Sequence, residues 1–221
     1  MKKMTILSAS PKKGEPSVSD LLSNIAKERF SGKDIQTDII DVRKTLTSQN
    51  CLPAYEAMRE ADALLIIFPL YIFCMPGMLT RFLEDYAQFI GSQGKPQKVY
   101  TIVNCGFPEP EINEEAIRVI QSFSRHVGAC FRFGVSFGAG GMIMGAKEAP
   151  FMKKAMETLN GALGLMVEDI SNEQLSPLKN IYIRVGFPRS LYYFGGNFGW
   201  RQMAKKNGLK KHDLYRRPYQ A

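Results

Sequence analysis

Short apolar runs along the chain alternate with longer stretches whose apolar positions recur at helical spacing, which predicts a repeating strand and helix pattern. Met4 to Leu7 is the first apolar run, and a polar loop from Ser8 to Ser19 follows it. Asp20 to Phe30 puts Leu21, Leu22, Ile25 and Ala26 on one helical face and stops at Ser31-Gly32. Ile35 to Val42 alternates as a second strand. A polar link and a short helix from Pro53 to Glu60 lead to Ala61–Phe68, whose unbroken apolar end fits a strand buried on both faces of a parallel sheet. Beyond the loop Pro69–Gly77, Met78 to Ile90 reads as a helix, Lys98 to Asn104 as the fourth strand, Glu114 to Val127 as a helix and Phe131 to Phe137 as the fifth strand. Gly138-Ala-Gly-Gly141 opens a long loop before a helix from about Pro150 to Met166.

Five strands alternating with helices make an α/β fold with a doubly wound parallel sheet, because parallel neighbours need right-handed crossovers. The length and loop pattern favour the order 2-1-3-4-5. Such sheets bind ligands beyond the carboxyl ends of their strands, where the order reverses between strands 1 and 3. Three loops with suggestive chemistry fall there: Ser8–Ser19, Pro69–Gly77 and Asn104–Pro108.

The first loop, Ser8-Ala-Ser-Pro-Lys-Lys-Gly-Glu-Pro-Ser-Val-Ser19, brings hydroxyls from Ser8, Ser10, Ser17 and Ser19, the lysines Lys12 and Lys13 and the amides of a first helical turn to one place. It lacks the Gly-Lys-Ser/Thr ending of an ATP-binding loop, and no Gly-x-Gly-x-x-Gly occurs in the chain. Short hydroxyl donors suit the three oxygens of a phosphate monoester. A helix capped by Ser17 or Ser19 under a solvated loop is the plainer reading of the same residues.

Composition narrows the setting. With 221 residues and 45 % apolar content the chain has room for one domain and an elaboration. The apolar run after Met1 is too short for a signal peptide, and the longest apolar region is broken by Pro69 and Pro76, so no membrane span is expected. Cys51, Cys74, Cys105 and Cys130 lack paired spacing, which argues against a metal or cluster site and for reduced thiols in the cytoplasm. The net charge of +8 is concentrated: from Lys179 onward there are ten Lys/Arg and one acid, Asp213, while the first 178 residues hold 19 basic and 20 acidic groups. We therefore expect a domain over 1–178 and a basic, aromatic-rich arm over 179–221, broken at Gly195–Gly199 and helical from Trp200 to Asn207. Aromatics this numerous are expected to pack on the chain's own domain or a partner subunit rather than on nucleic acid or a membrane. The arm would in that case roof the site and present Arg189 or Arg201 to a phosphate.

At Ser8-Ala-Ser-Pro11 with Ser17–Ser19, and at Pro69-Leu-Tyr-Ile72 with Pro76-Gly77, the chain resembles the NAD(P)H-dependent FMN reductase family of flavodoxin-like proteins, over roughly residues 4 to 166. The resemblance implies a flavodoxin-like fold and FMN and NAD(P)H as cofactors. It implies a homodimer that passes hydride through the flavin to a small acceptor such as a quinone, nitro or azo compound. Carried over by position, Ser8 belongs to the first motif, and Ser10, Lys12, Ser17, Val18 and Ser19 would hold the phosphate. Pro69, Leu70, Tyr71 and Ile72 would lie along the ring, and Asn104, Cys105 and Gly106 would close its other edge through backbone contacts. No catalytic side chain and no metal are implied, because the hydride chemistry resides on the cofactor. A non-enzymatic flavin-binding electron carrier or redox sensor is the alternative.

Five features compete for attention. Gly134-Val-Ser-Phe-Gly138 matches the elbow of serine hydrolases, with Asp169 and His212 in the right chain order, but an elbow needs a helix directly after the serine and a loop is expected here. Cys105 reads as a small packed hydrophobe, Arg81 as the partner of Glu84 or Asp85, and His126 as a structural or surface residue. Gly138–Gly141 is either a turn or a rim that lets a ligand approach closely.

Overall fold

The structure, a computed structural model, describes residues 1–91, 94–172, 177–217 and 219. Six parallel strands form one sheet in the order β2-β1-β3-β4-β5-β6. The chain runs β1 (Lys2–Ser8), α1 (Val18–Phe30), β2 (Ile35–Asp41), α2 (Val42–Thr47), α3 (Leu52–Glu60), β3 (Ala63–Pro69), α4 (Gly77–Ile90) and β4 (Lys98–Asn104). It continues with α5 (Glu114–His126), β5 (Cys130–Phe137), α6 (Ile143–Ala146), α7 (Lys153–Ser171), β6 (Ile181–Ile183) and α8 (Arg189–Lys206). The expected order of the first five strands is thus observed, with β6 added beside β5 through Val135 opposite Ile181.

β3 shows why the sheet holds. All six residues from Ala63 to Phe68 are buried, and they alternate between the two layers. Ala63, Leu65 and Ile67 pack with Phe30, Phe133 and Leu163 on the side of α1 and α7. Leu64, Ile66 and Phe68 pack with Tyr55, Phe82 and Ile120 on the side of α3, α4 and α5. Each large apolar side chain so buried contributes about 2 kcal/mol, and no polar position interrupts the run. Gly134 lets α5 lie against β5, since a Cβ there would stand 2.7 Å from Ile117.

Three expectations change. Val42 ends no strand: Asp41 caps α2, its Oδ1 accepting the Lys44 N–H at 2.9 Å. The last helix of the domain starts at Lys153 rather than Pro150, which opens a 3₁₀ turn, and runs to Ser171. α8 passes unbroken through Gly195–Gly199, because glycine weakens a helix by about 1 kcal/mol per position without forbidding it. The described chain divides into two compact units, Met1–Val185 and Gly186–Ala221, so β6, which lies beyond position 178, belongs with the sheet. Among the described residues no helix is long and apolar enough to cross a membrane.

Candidate functional site

The loops after β1, β3 and β4 meet at the carboxyl end of the sheet, where β1 stands between β2 and β3 and the winding reverses. Backbone bonds lace them together. Ala9 N–H donates to Ile67 O at 2.9 Å, Leu70 N–H to Asn104 O at 2.8 Å and Cys105 N–H to Phe137 O at 3.0 Å.

The first loop ends at the N-terminus of α1, capped by Ser17, whose Oγ accepts the Asp20 N–H at 3.1 Å. Asp20 has a part that sequence reasoning missed. Its carboxylate accepts the Ser8 hydroxyl at 2.7 Å and the Ser17 hydroxyl at 2.6 Å, so both serines already have an anionic partner. The signal was present in the spacing Ser17-x-x-Asp20, which puts an acid three residues after the helix cap. Ser19 is buried and turned inward, its Oγ accepting from Asn104 Nδ2 at 3.5 Å. Ser10 Oγ accepts the Lys12 N–H at 3.3 Å and keeps its own proton to donate. The Ser10 hydroxyl, the Lys12 ammonium and the amides of Val18 and Ser19, which stand in the first helical turn where no intrahelical carbonyl is available, are the other donors of this loop. A cavity of about 500 Å³ beside them is lined by Ser8, Ser10, Lys12, Asp20, Asp41 and Arg43 among others.

The second loop forms a tight two-residue turn. Tyr71 and Cys74 pair as an antiparallel bridge, and Ile72 and Phe73 between them have φ of 48° and 61°. Both are in the left-handed region, which costs a side chain with a Cβ roughly 1–2 kcal/mol. Tyr71, Ile72 and Phe73 are exposed, and an apolar recess of about 560 Å³ runs from Pro11 past Tyr71, Met75 and Met78.

In the third loop Asn104 is buried and acts through its side chain. Nδ2 donates to Phe68 O at 3.1 Å as well as to Ser19, which bolts α1, β3 and β4 together. Gly140 allows this, since a Cβ there would lie 3.0 Å from that of Asn104. Cys105 gives its N–H to Phe137 and its carbonyl accepts the Gly140 N–H, so its backbone is fixed by bonds within the chain. Burial pushes its thiol pKa up, and Sγ rests 3.4 Å from Phe107 O.

The competing motifs resolve on geometry. Ser136 is buried inside β5, donates to Pro110 O and accepts Asn113 Nδ2 at 2.9 Å, so it is not presented as a nucleophile. Asp169 is held by Arg132, Nε at 2.8 Å and Nη2 at 2.7 Å, and by Tyr100 Oη at 2.6 Å. Arg81 pairs with Asp85 at 3.7 Å. Among the described residues no three His, Cys, Asp or Glu side chains gather as a metal site.

One comparison bears on the segment that carries the first two loops. Residues 2–106 match the model of the NADPH-dependent FMN reductase family. The match runs from β1 through Gly106 and ends within the third loop. Solved structures similar to most of the chain include an NADH:FMN oxidoreductase in its apo form, at 17 % identity over 86 % of this chain and 98 % of that one with a TM-score of 0.61. The NAD(P)H:quinone oxidoreductase of Methanothermobacter marburgensis is similar at 16 % identity over 78 % of this chain and 97 % of that one, TM-score 0.58. General stress protein 14 of Treponema denticola, solved in complex with FMN, is similar at 16 % identity over 77 % and 99 %, TM-score 0.57. At these identities the structural likeness establishes the shared flavodoxin-like fold. No curated protein matches the chain.

Proposed function

We propose that the protein is an FMN-dependent NAD(P)H oxidoreductase that passes hydride from NAD(P)H by way of bound FMN to a small acceptor of the quinone, nitro or azo class, working as a homodimer in the cytoplasm. The observation that carries the reading is that the FMN reductase family segment contains the anion loop and the Tyr71 turn, which the fold brings to one end of the sheet. The residues present fit the cofactor. A phosphate monoester finds the Ser10 hydroxyl, Lys12 and the amides of Val18 and Ser19, whereas Ser8 and Ser17 act through Asp20 and hold the loop in shape. Pro69 and Leu70 fix the floor beside the ring position and Tyr71 and Ile72 its wall. Asn104, Cys105 and Gly106 set the opposite side, with Asn104 positioning by its bolt to Ser19 and Phe68.

The chemistry a bound flavin supplies is hydride acceptance from NAD(P)H and delivery to a second molecule. The chain's task is to hold, orient and exclude water, and this matches a site without a nucleophile and base pair. The four thiols are free, in keeping with a reducing compartment. Adding NADPH anaerobically to the purified, FMN-loaded protein should bleach the flavin band at about 450 nm. Retention of FMN without bleaching would favour an electron carrier or redox sensor instead.

A further inference from the structure

The cavity beside the anion loop is larger than one phosphate needs. Its volume of about 500 Å³ extends from the loop into the cleft between α1 and β2, where Asn24 of α1, Ile39 and Asp41 of β2 and Arg43 of α2 form the rest of the wall. A phosphate monoester in the cradle engages Ser10 and Lys12 and gives that second wall no task. Register joins the two parts. Ser8 and Asp41 are the last partners of the β1–β2 pair, so Asp41 stands one strand spacing, about 4.8 Å, from the strand that ends in the first serine of the loop.

The groups on the second wall have capacity to spare. The Arg43 side chain is 24 % exposed, and among the described residues its ion pair is with Asp41 Oδ2 at 3.9 Å, too far for a hydrogen bond. Its fork of N–H donors can therefore serve an anion. Asp41 Oδ1 accepts the Lys44 N–H at 2.9 Å, and Oδ2 lies 3.4 Å from Lys44 Nζ. A carboxylate with about four acceptor sites still has room for hydroxyl donors. Half-buried Ile39 adds an apolar side chain between them.

An arginine, a carboxylate and an apolar face side by side suit a phosphate, a vicinal diol and a flat base. In doubly wound sheets that hold dinucleotides, the acid that binds the ribose follows the phosphate-binding helix, and an arginine near it receives a further phosphate. Here Asp41 ends β2, the strand after α1, and Arg43 follows two residues later. Charges balance around the cavity, Lys12, Arg43 and Lys44 against Glu15, Asp20 and Asp41, which favours a ligand of phosphates and neutral hydroxyls over a polyanion. Because the cradle residues wall the same cavity, a second phosphate there is continuous with the first, as in a pyrophosphate.

We propose that this cavity takes the adenylate half of FAD. The flavin phosphate stays in the cradle, the second phosphate meets Arg43, the ribose diol donates to Asp41, and adenine lies against Ile39 and Asn24. The chain consequently holds FAD more tightly than FMN. This rests on the flavin reading above and goes beyond it by assigning a second nucleotide subsite.

Isothermal titration of the flavin-free full chain with FMN and with FAD tests it. FAD is expected to bind at least about 10-fold tighter, the gain from one charge-assisted hydrogen bond. Arg43→Ala should abolish that gain and leave FMN affinity unchanged, since the cradle is intact. Asp41→Asn keeps an oxygen for the α2 cap and should weaken FAD about three-fold, with FMN again unaffected. Asn24→Trp fills the cleft without altering a charge and should also remove the preference for FAD.

Equal affinities for the two flavins, or an Arg43→Ala variant that loses both alike, would overturn the proposal. Titrating the FMN-loaded protein with NADP⁺ examines the other source of an adenylate. If Arg43→Ala weakens NADP⁺ there while FAD binds no tighter than FMN, the cavity serves the pyridine nucleotide and the FAD assignment falls. Failure of both flavins to bind would remove the flavin reading itself, whereas FMN binding without a preference for FAD strikes the adenylate subsite alone.

Discussion

The amino and carboxyl ends of the sheet are made by the same strands and treat polar groups in opposite ways. At the amino end the groups satisfy one another. Arg132 and Tyr100 converge on Asp169, Lys98 reaches the carbonyls of Asp169 and Asn172, and buried Gln97 donates to Met58 O and Ala61 O at 2.6 and 2.5 Å. At the carboxyl end the Asp20 and Asn104 networks stand beside first-turn amides of α1 and the exposed Lys12, and apolar side chains are held in strained exposure. Closed networks hold a fold; donors without partners await a ligand. The comparison predicts that substitutions at the first end change stability while leaving ligand binding intact, and the reverse at the second.

The largest effect is expected from Arg132→Ala. It strands a buried carboxylate and should cost about 3–5 kcal/mol of stability in denaturant unfolding, with FMN affinity unchanged while the protein stays folded. The pH dependence fixes the cause. Burial alone would raise the Asp169 pKa, but the bonds from Arg132 and Tyr100 outweigh it and hold the carboxyl below the usual range. A lowered pKa stabilises above the unfolded carboxylate value near about 4 and loses that contribution as pH falls through the folded value. The deficit of the variant should therefore shrink towards acid pH. A deficit independent of pH would assign the loss to packing instead.

Next comes the cradle. Ser10→Asp with Lys12→Glu exchanges two donors to the phosphate for two carboxylates and should weaken FMN binding by about 3–4 kcal/mol, on the order of several hundred-fold, in flavin fluorescence titration. Both residues lie in a loop, so unfolding should move little. An unchanged FMN affinity would remove the cradle. Asn104→Ala falls between the two ends of the comparison, since its bolt joins the anion loop to β3. It should cost roughly 1–3 kcal/mol in stability and also speed FMN release.

The sequence showed the frame of this site better than its fittings. Strand positions and order were legible because β3 is apolar without interruption and its neighbours carry short apolar runs, and topology alone then placed the three loops together. β6 was not, because three residues after a loop carry no periodicity to read. α8 was misread at Gly195–Gly199, where propensity argued for a break and the helix continues. Within the loops, Ser8, Ser10, Ser17 and Ser19 look alike in the sequence, and only their neighbours separate them. Ser19 turns to Asn104, Ser8 and Ser17 turn to Asp20, and Ser10 remains. No spacing rule reports which way a hydroxyl faces.

Asp20 carries the smallest predicted effect and the sharpest test of how the carboxyl end works, because its carboxylate stands in the loop proposed to receive a dianion. A carboxylate near a dianion at a solvated surface repels it by about 1 kcal/mol, so Asp20→Asn should tighten FMN binding about five-fold at low salt and less at high salt. The same change removes an acid from the N-terminus of α1 and a strong acceptor from Ser8 and Ser17, which should lower stability by about 0.3–1 kcal/mol. Affinity and stability are thus expected to move in opposite directions. Riboflavin, which lacks the phosphate, serves as the control and should bind wild type and variant alike. If the variant instead loses affinity for both flavins equally, the carboxylate is a ligand for neutral hydroxyls and not the neighbour of a phosphate.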